Sequence, residues 1–233
     1  MSYGVRWGKY GVPNADKILV NHCYTLGYSY FFKQAKWALE IVDSRQIDLD
    51  RSDNFRVDFR IPKMFRGDLV DYQASGYDRG HLVASGDQND DPIYNSETFL
   101  LSNISPQSAG FNRGIWRQLE LSVRALDAQD DIYEVYVITG PIFDFHQGLD
   151  FIGRESKDFI PVPNAFFKTV LAENKNGSLD MWAFIIPNDK QDQDLHSFLV
   201  PVSELEKRTG IIFWDLLVGE EINNKKNQVL KMW

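Results

Sequence analysis

The stretch AFFKTVLAENKNGSLDMWAFIIPN, residues 165 to 188, constrains the fold more than any other part of the chain. Two apolar runs flank Asn176-Gly177, the pair that a two-residue type I′ turn prefers, so the pattern predicts a β-hairpin. IYEVYVITGPIF (132 to 143) alternates from Ile132 to Ile138 and then meets Gly140-Pro141, which predicts a strand stopped by a breaker. YTLGYSYFFKQAKWALEIV (24 to 42) is rich in β-branched and aromatic residues, with Lys33, Gln34 and Lys36 interleaved. It reads as two strands joined by a tight polar turn.

Helical signals lie between and after these strands. In SAGFNRGIWRQLELSVRALDA (108 to 128), Ile115, Leu119, Val123 and Leu126 recur near helical spacing, and Ser108 is placed to cap the start. Ser203 and Glu206 in VSELEKRTG match a capping box, and Gly210 is a natural stop. The expectation is an α+β fold, a mixed and mainly antiparallel sheet core with helices packed on it.

A chain of 233 residues, 43% hydrophobic and 14% aromatic, can bury one substantial core. It contains no repeat, low-complexity tract or Pro/Ser-rich linker, so a single domain over residues 1 to 233 is expected. No run reaches the roughly 20 apolar residues of a membrane span, which predicts a soluble protein. The opening MSYGVRWGKYGVPN lacks the apolar stretch of a secretory signal, so the chain either stays inside the cell or is a form from which a leader has been removed. Cys23 is the only cysteine, which excludes an internal disulfide and a Cys-based zinc site and predicts a buried free thiol. The net charge of -8 argues against a protein that coats nucleic acid by bulk electrostatics, though not against one that grips a few phosphates locally.

Against that background, GYDRGHLVAS (76 to 85) is unusual. A core strand would bury Leu82 and Val83 but gains nothing from Asp78, Arg79 and His81 just before them. Of the four histidines, His22, His81, His146 and His196, only His81 has such neighbours, with Gly80 allowing close backbone approach. The loop that follows spaces Asp87, Asn89 and Asp91 like the first calcium-loop ligands, but Pro92 and Thr98 stand where Gly and Glu are needed, so a solvated acidic loop is expected. Along the 108 to 128 helix, Glu120 and Arg124 are four apart and can pair on one face. Upstream, RSDNFRVDFRIPK mixes Arg51, Arg56, Arg60 and Lys63 with Asp53 and Asp58, the composition of a mixed-charge loop.

Taken together, YDRGH, FLLSNISPQ, FNRGIWRQLE, VITGPIF and VPNAFFK, in that order, resemble the DNA/RNA non-specific endonucleases, the endonuclease G group with its bacterial sugar-non-specific relatives. The resemblance runs from KYGVP near the start to FLVPVSELEKRTGIIF near the end. It implies a ββα-metal (His-Me finger) motif. His81 matches the general base, where an imidazole of ordinary pKa near 6.5 is largely neutral at pH 7. Asn112 matches the direct ligand of a magnesium ion, for which manganese substitutes. Glu120 matches the acid that holds metal-bound water, and eight helical residues, about 12 Å of rise, separate it from Asn112. Arg51 matches the arginine that stabilises charge on the phosphate, and Arg79 and Arg124 match arginines near the substrate. Asn103 and Gln107 fall in the family's hydrogen-bonding support segment and are counted with its substrate contacts. Asp78 and Gly80 are motif residues, while Arg113 and Arg117 are candidate phosphate contacts by position alone.

Every key position is filled, so an active enzyme is expected. Its implied reaction is metal-dependent hydrolysis of DNA and RNA phosphodiesters to 5′-phosphate and 3′-hydroxyl ends. The alternatives are a catalytically silent nucleic-acid- or partner-binding module and a phosphodiesterase for small substrates. The implied partners are DNA and RNA, with room for a homodimer and a protein inhibitor and none for a membrane. A secreted, periplasmic or mitochondrial mature form is expected ahead of a cytoplasmic one.

Overall fold

A computed structural model of the chain describes residues 6–43, 50–153 and 159–233. It begins with a meander, β1 (Lys17–Val20), β2 (Tyr24–Ser29) and β3 (Gln34–Val42), and continues through the short helix α1 (Leu69–Tyr72) to β4 (Asp78–His81). Then come α2 (Pro92–Thr98), β5 (Ile104–Gln107), a π-helical turn (Phe111–Trp116), α3 (Arg117–Asp127) and the long β6 (Ile132–Ile142). A small pair, β7 (Phe151–Ile152) and β8 (Ile160–Pro161), precedes the hairpin of β9 (Ala165–Asn174) and β10 (Leu179–Pro187). The chain ends with β11 (Leu199–Val200), α4 (Val202–Thr209) and α5 (Glu220–Lys226). Among the described residues no helix is long and apolar enough to cross a membrane.

Seven strands form one sheet in the order β1-β2-β3-β6-β9-β10-β11, every pairing antiparallel. Both of its faces are covered. Val135 and Val137 of β6 join Phe166 and Val170 of β9 in a core shared with Leu119, Val123 and Leu126 of α3. The alternate residues Tyr136, Ile138, Phe167 and Leu171 turn the other way, into a second core with Val202 and Leu205 of α4 and with Phe213 and Trp214. The expected mixed α+β architecture with an antiparallel core is therefore what forms, and two-sided burial accounts for how few polar positions the central strands carry.

Local details depart from the expectations for identifiable reasons. The β9-β10 connection is the four residues Lys175 to Ser178: Asn174 N–H donates to the Ser178 carbonyl, and Gly177, at φ 85°, donates its N–H to the Asn174 carbonyl. Asn176 has no positive φ, so the turn is not type I′. Its side chain instead accepts from the Ser178 backbone. β6 runs through Gly140-Pro141 to Ile142 rather than stopping there. Pairing with β3 ends at Thr139, so the proline sits where that edge no longer needs a donor. The turn between β2 and β3 lies at residues 30 to 33, rich in aromatics, while Gln34 is fully buried in β3. Helix α4 starts at Val202, which puts Ser203 inside its first turn; no side chain caps it, and Glu206 instead accepts from Phe213 N–H and Lys226. Gly210 does stop the helix, in the left-handed conformation. Cys23 is partly rather than fully buried, and burial pushes its thiol up to about 12.

The smaller β4-β5 ribbon stands apart from the main sheet, with Asp78 opposite Gln107 and His81 opposite Ile104. Leu82 and Val83 leave it directly into the α3-side core at 0% exposure, so this short segment is anchored at one end and free to carry polar side chains at the other. The ribbon is tight: a Cβ on Gly80 would stand 2.1 Å from the buried Gln107 amide carbon. Gly80→Ala should therefore destabilise the protein by about 1–3 kcal/mol, the usual range for overpacking. Thermal denaturation should show a fall of roughly 2–4 °C per kcal/mol for a chain of this size, whereas an unchanged midpoint would contradict the packing described.

Candidate active site

Residues 78 to 127 build one wall of the molecule around two neighbouring cavities. The smaller, about 310 Å³, is lined by Arg51, Arg79, His81, Asn112, Arg117, Glu120 and Arg124, among others. The larger, about 700 Å³, shares Arg51, Arg79, Asn112 and Arg113 with it and adds Phe55, Tyr72 and Tyr77. The structure thus brings together His81, Asn112, Glu120 and all five candidate arginines. It leaves out Asn103 and Gln107. Both are 0% exposed and so are not placed to touch a substrate; the Gln107 amide is packed against Gly80 with no hydrogen-bond partner among the described residues. Asn103 holds the chain beyond His81 by accepting from Val83 N–H and donating to the Val83 and Thr98 carbonyls.

Asp78 explains why β4 and the π-helical turn face each other. Its carboxylate accepts Asn112 Nδ2 at 3.0 Å and both Arg113 Nε (2.8 Å) and Nη2 (2.7 Å). Burial raises the carboxyl, but the bonds from Arg113 and Asn112 outweigh it and hold Asp78 below the usual range. With its amide nitrogen held there, Asn112 has its side-chain oxygen left without a hydrogen-bond partner among the described residues. Arg113 is thus ion-paired with Asp78 through Nε and Nη2 while its side chain still lines both cavities.

The predicted 108 to 128 helix is not continuous. Ser108 does cap its start, its hydroxyl accepting Phe111 N–H at 3.3 Å. Six residues of π-helix follow, and Gly114 departs from helical geometry at φ -101°, ψ -111°. Such bulges re-aim side chains at functional sites. The helix between Asn112 and Glu120 is therefore not straight, and the two residues line one cavity.

His81 is 9% exposed between the rings of Phe55 (5.4 Å) and Phe99 (4.9 Å). Its Nε2 is buried with no hydrogen-bond partner among the described residues, and the residue lines the smaller cavity. Burial, then the charges of Arg51 and Arg79, drive the ring down to about 3, well below the ordinary 6.5. The imidazole is neutral at pH 7, as expected, but through its surroundings rather than its intrinsic value.

Beneath α3 lies a buried ionic cluster that sequence reasoning missed. Arg124 does not pair with Glu120; its Nε donates to Asp87 at 2.5 Å. Asp87 and Gln88 are 7% and 3% exposed, so the loop after His81 turns partly inward instead of being solvated throughout. Gln88 bonds Glu40 of β3 at 3.1 Å, and Lys168 of β9, 2% exposed, bonds Thr139 at 2.7 Å and sits 4.9 Å from the Trp116 ring centre. Burial raises Glu40 well above the usual carboxylate range, with Asp87 adding to it. Burial also lifts Glu120 to about 7, opposed by Lys168, supported by Asp87 and opposed again by Arg124 and Arg117. The signal that could have found these residues is the charge of Glu40 and Lys168 within otherwise apolar strands.

Upstream, the mixed-charge loop separates into roles. Arg60 is bound to the buried Asp58 and Arg56 to the Ser96 carbonyl, which leaves Arg51 as the one of the three arginines that lines the cavity. Of the other histidines, His22 pairs with Glu97 at 2.8 Å, and His146 and His196 do not line either cavity.

Comparison with known proteins shows what the chain as a whole is similar to. A family model described as DNA/RNA non-specific endonuclease matches residues 8–219. A protein named "Nuclease" from Syncephalastrum racemosum is 35% identical over 231 residues, 90% of this chain and 71% of that one. "Endonuclease G, mitochondrial" from Homo sapiens is 31% identical over 215 residues, 88% of this chain and 72% of its own. A solved structure of an EndoG/EndoGI complex, concerned with the mechanism of EndoG inhibition, contains a chain that superposes with a TM-score of 0.83 at 32% identity, covering 94% of this chain and 95% of that one.

The raised Glu120 carboxyl has a measurable consequence. Its folded value lies above the unfolded one, so its contribution favours the fold below pH 4.5 and is lost as pH rises through about 7. In metal-free protein, Glu120→Gln should exceed wild type in stability by on the order of 2 kcal/mol at pH 8, with the gap closing toward pH 4.5. Denaturant melts at the two pH values measure this, and a gap that is the same at both would contradict the assigned burial.

Proposed function

The chain belongs to the DNA/RNA non-specific endonuclease family, and on that premise we propose that it hydrolyses phosphodiester bonds of both DNA and RNA, with His81 as general base. The observation that carries the reading is the convergence of His81 and Asn112 on one arginine-lined cavity, with the Asn112 amide nitrogen bonded to Asp78 and its oxygen without a partner among the described residues.

The same residues fit a divalent cation of the magnesium class. Among the described residues there is no group of three or more His, Cys, Asp or Glu side chains that could cage a metal. What the site offers is one hard, neutral amide oxygen from Asn112, with Glu120 placed to act through water. That donor set suits an ion that keeps most of its hydration shell, as magnesium does, with manganese a substitute. When bound, the cation supplies Lewis-acid stabilisation of the negative charge that develops on the phosphate.

The chain's own residues account for the rest. His81, with its proton on the buried Nε2, takes a proton from the attacking water at Nδ1. The phosphate's negative charge offsets Arg51 and Arg79, which otherwise depress the ring, so the base strengthens as substrate arrives. Those arginines stabilise charge on the reacting phosphoryl group. Arg124, fixed by Asp87, and Glu120 order the water beside it. Because water rather than a ribose 2′-hydroxyl attacks, the sugar is not selected. The P–O3′ bond breaks as the new P–O bond forms, and the departing 3′ oxygen takes up a proton, which leaves 5′-phosphate and 3′-hydroxyl ends. Contacts to phosphate position a strand without reading its bases. The two neighbouring cavities, about 700 and 310 Å³ with four lining residues in common, offer an extended surface beside His81, which favours a polymeric substrate. The mitochondrial names among the relatives support a mitochondrial setting, and the EndoG/EndoGI structure supports a protein inhibitor as a partner.

His81→Ala should lower kcat by about 10²- to 10⁴-fold, the range of general acid-base catalysis, while DNA binding persists. Plasmid nicking with end-group analysis measures the first and gel retardation the second. EDTA should abolish cleavage, and Asn112→Ala should lose both rate and the response to added magnesium; a fully active Asn112→Ala protein would refute the ligand assignment. Raising salt from roughly 50 to 200 mM should weaken DNA binding steeply, and a flat dependence would contradict an arginine-held phosphate.

A further inference from the structure

Phe55 and Phe99 touch three of the groups that line the smaller cavity, Arg51, Arg79 and His81. The Arg79 guanidinium carbon lies 4.0 Å from the centre of the Phe55 ring, and that of Arg51 lies 5.1 Å from the centre of Phe99. The two rings meet edge to face at 5.0 Å and 81°. His81 stands edge to face on Phe99 at 4.9 Å and 85°, and 5.4 Å from Phe55. Among the described residues neither arginine is ion-paired with a carboxylate, in contrast to Arg60, Arg113 and Arg124.

A carboxylate would fix a guanidinium but cancel much of its charge. A phenyl face attracts it through the ring quadrupole while adding no net charge, so the cation keeps its full field for a phosphate. We propose that Phe55 and Phe99 are positioning residues for cleavage: their faces hold Arg79 and Arg51, and both rings pack against His81, so that three groups converge on one phosphate without an anionic brace. Phe99 is 0% exposed and part of the fold, whereas Phe55 is only partly buried, so the test is made at Phe55. The proposal rests on the nuclease reading above.

Wild type, Phe55→Leu, Phe55→Tyr, Arg79→Ala and the Phe55→Leu/Arg79→Ala pair are compared for kcat and KM on duplex DNA, with a thermal melt for each. Leucine keeps apolar bulk and removes the ring face. Phe55→Leu should lower kcat by about tenfold with KM within about twofold, because an interaction made in the transition state is lost. Phe55→Tyr, which keeps the face, should stay within about threefold of wild type. Arg79→Ala should cost much less in the Phe55→Leu background than in wild type, since the arginine is already misplaced there. Independent costs in that cycle, or a Phe55→Tyr protein as slow as Phe55→Leu, overturn the proposal. If Phe55→Leu melts below the assay temperature, Phe55→Met is read in its place. A wild type that cleaves no nucleic acid overturns the nuclease reading as well, whereas an active wild type with independent costs sinks only the positioning role.

Discussion

A sheet whose central strands are apolar on both sides must be covered on both sides, and that requirement organises this molecule. On one face α4 and the segment around Phe213 and Trp214 do the covering. On the other, the job falls to residues 78 to 127, which cross from the β4-β5 ribbon through the π-helical turn into α3. Leu82, Val83, Phe111, Ile115 and Leu119 supply the buried contacts. His81, Asn112 and Glu120 are interleaved with them, so the packing that excludes water from the sheet also holds the polar groups around the cavity. Asp78 then locks the two halves of this cover together by bonding Asn112 and Arg113 across more than thirty residues of sequence.

Charge is arranged in two tiers. The upper tier, lining the cavity, is cationic, with Arg51 and Arg79 free of carboxylate partners among the described residues. The lower tier, under α3, combines Glu40, Asp87, Arg124 and Lys168 in a mostly buried cluster. Buried ionic groups of this kind contribute little net stability, because desolvation offsets most of their attraction. Their effect here is local: Asp87 takes Arg124 away from Glu120 and leaves that carboxyl raised by burial. An overall net charge of -8 is compatible with nucleic acid because the field that a phosphate meets is set by the cavity and not by the total.

Much of this was legible in the sequence. The hairpin at residues 165 to 188, the long strand from Ile132 and the apolar spacing of α3 are short-range patterns, and each forms where it was expected. His81, Asn112 and Glu120 were legible through motifs, and the structure puts them around one cavity. What was hidden depends on partners distant in sequence. Asp78 could not be matched to Arg113, nor Arg124 to Asp87, because helical spacing offers Glu120 as the nearer choice for Arg124. The capping box at Ser203 failed since Glu206 finds stronger partners in Lys226 and Phe213 N–H. The extent of β6 was misjudged because a proline breaks a strand only where its missing donor is needed. The depressed value of His81 could not be foreseen without knowing that Phe55 and Phe99 enclose it.

The central claim is that one cation is held at Asn112 and faces His81 across the cavity. Crystals soaked in manganese and measured for anomalous scattering test it most directly. The account predicts a single strong peak beside the Asn112 side-chain oxygen, with His81 Nδ1 on the opposite wall and Glu120 joined to it through water. A peak confined to surface carboxylates away from the cavity, with the Asn112 cavity empty at saturating metal, would contradict it.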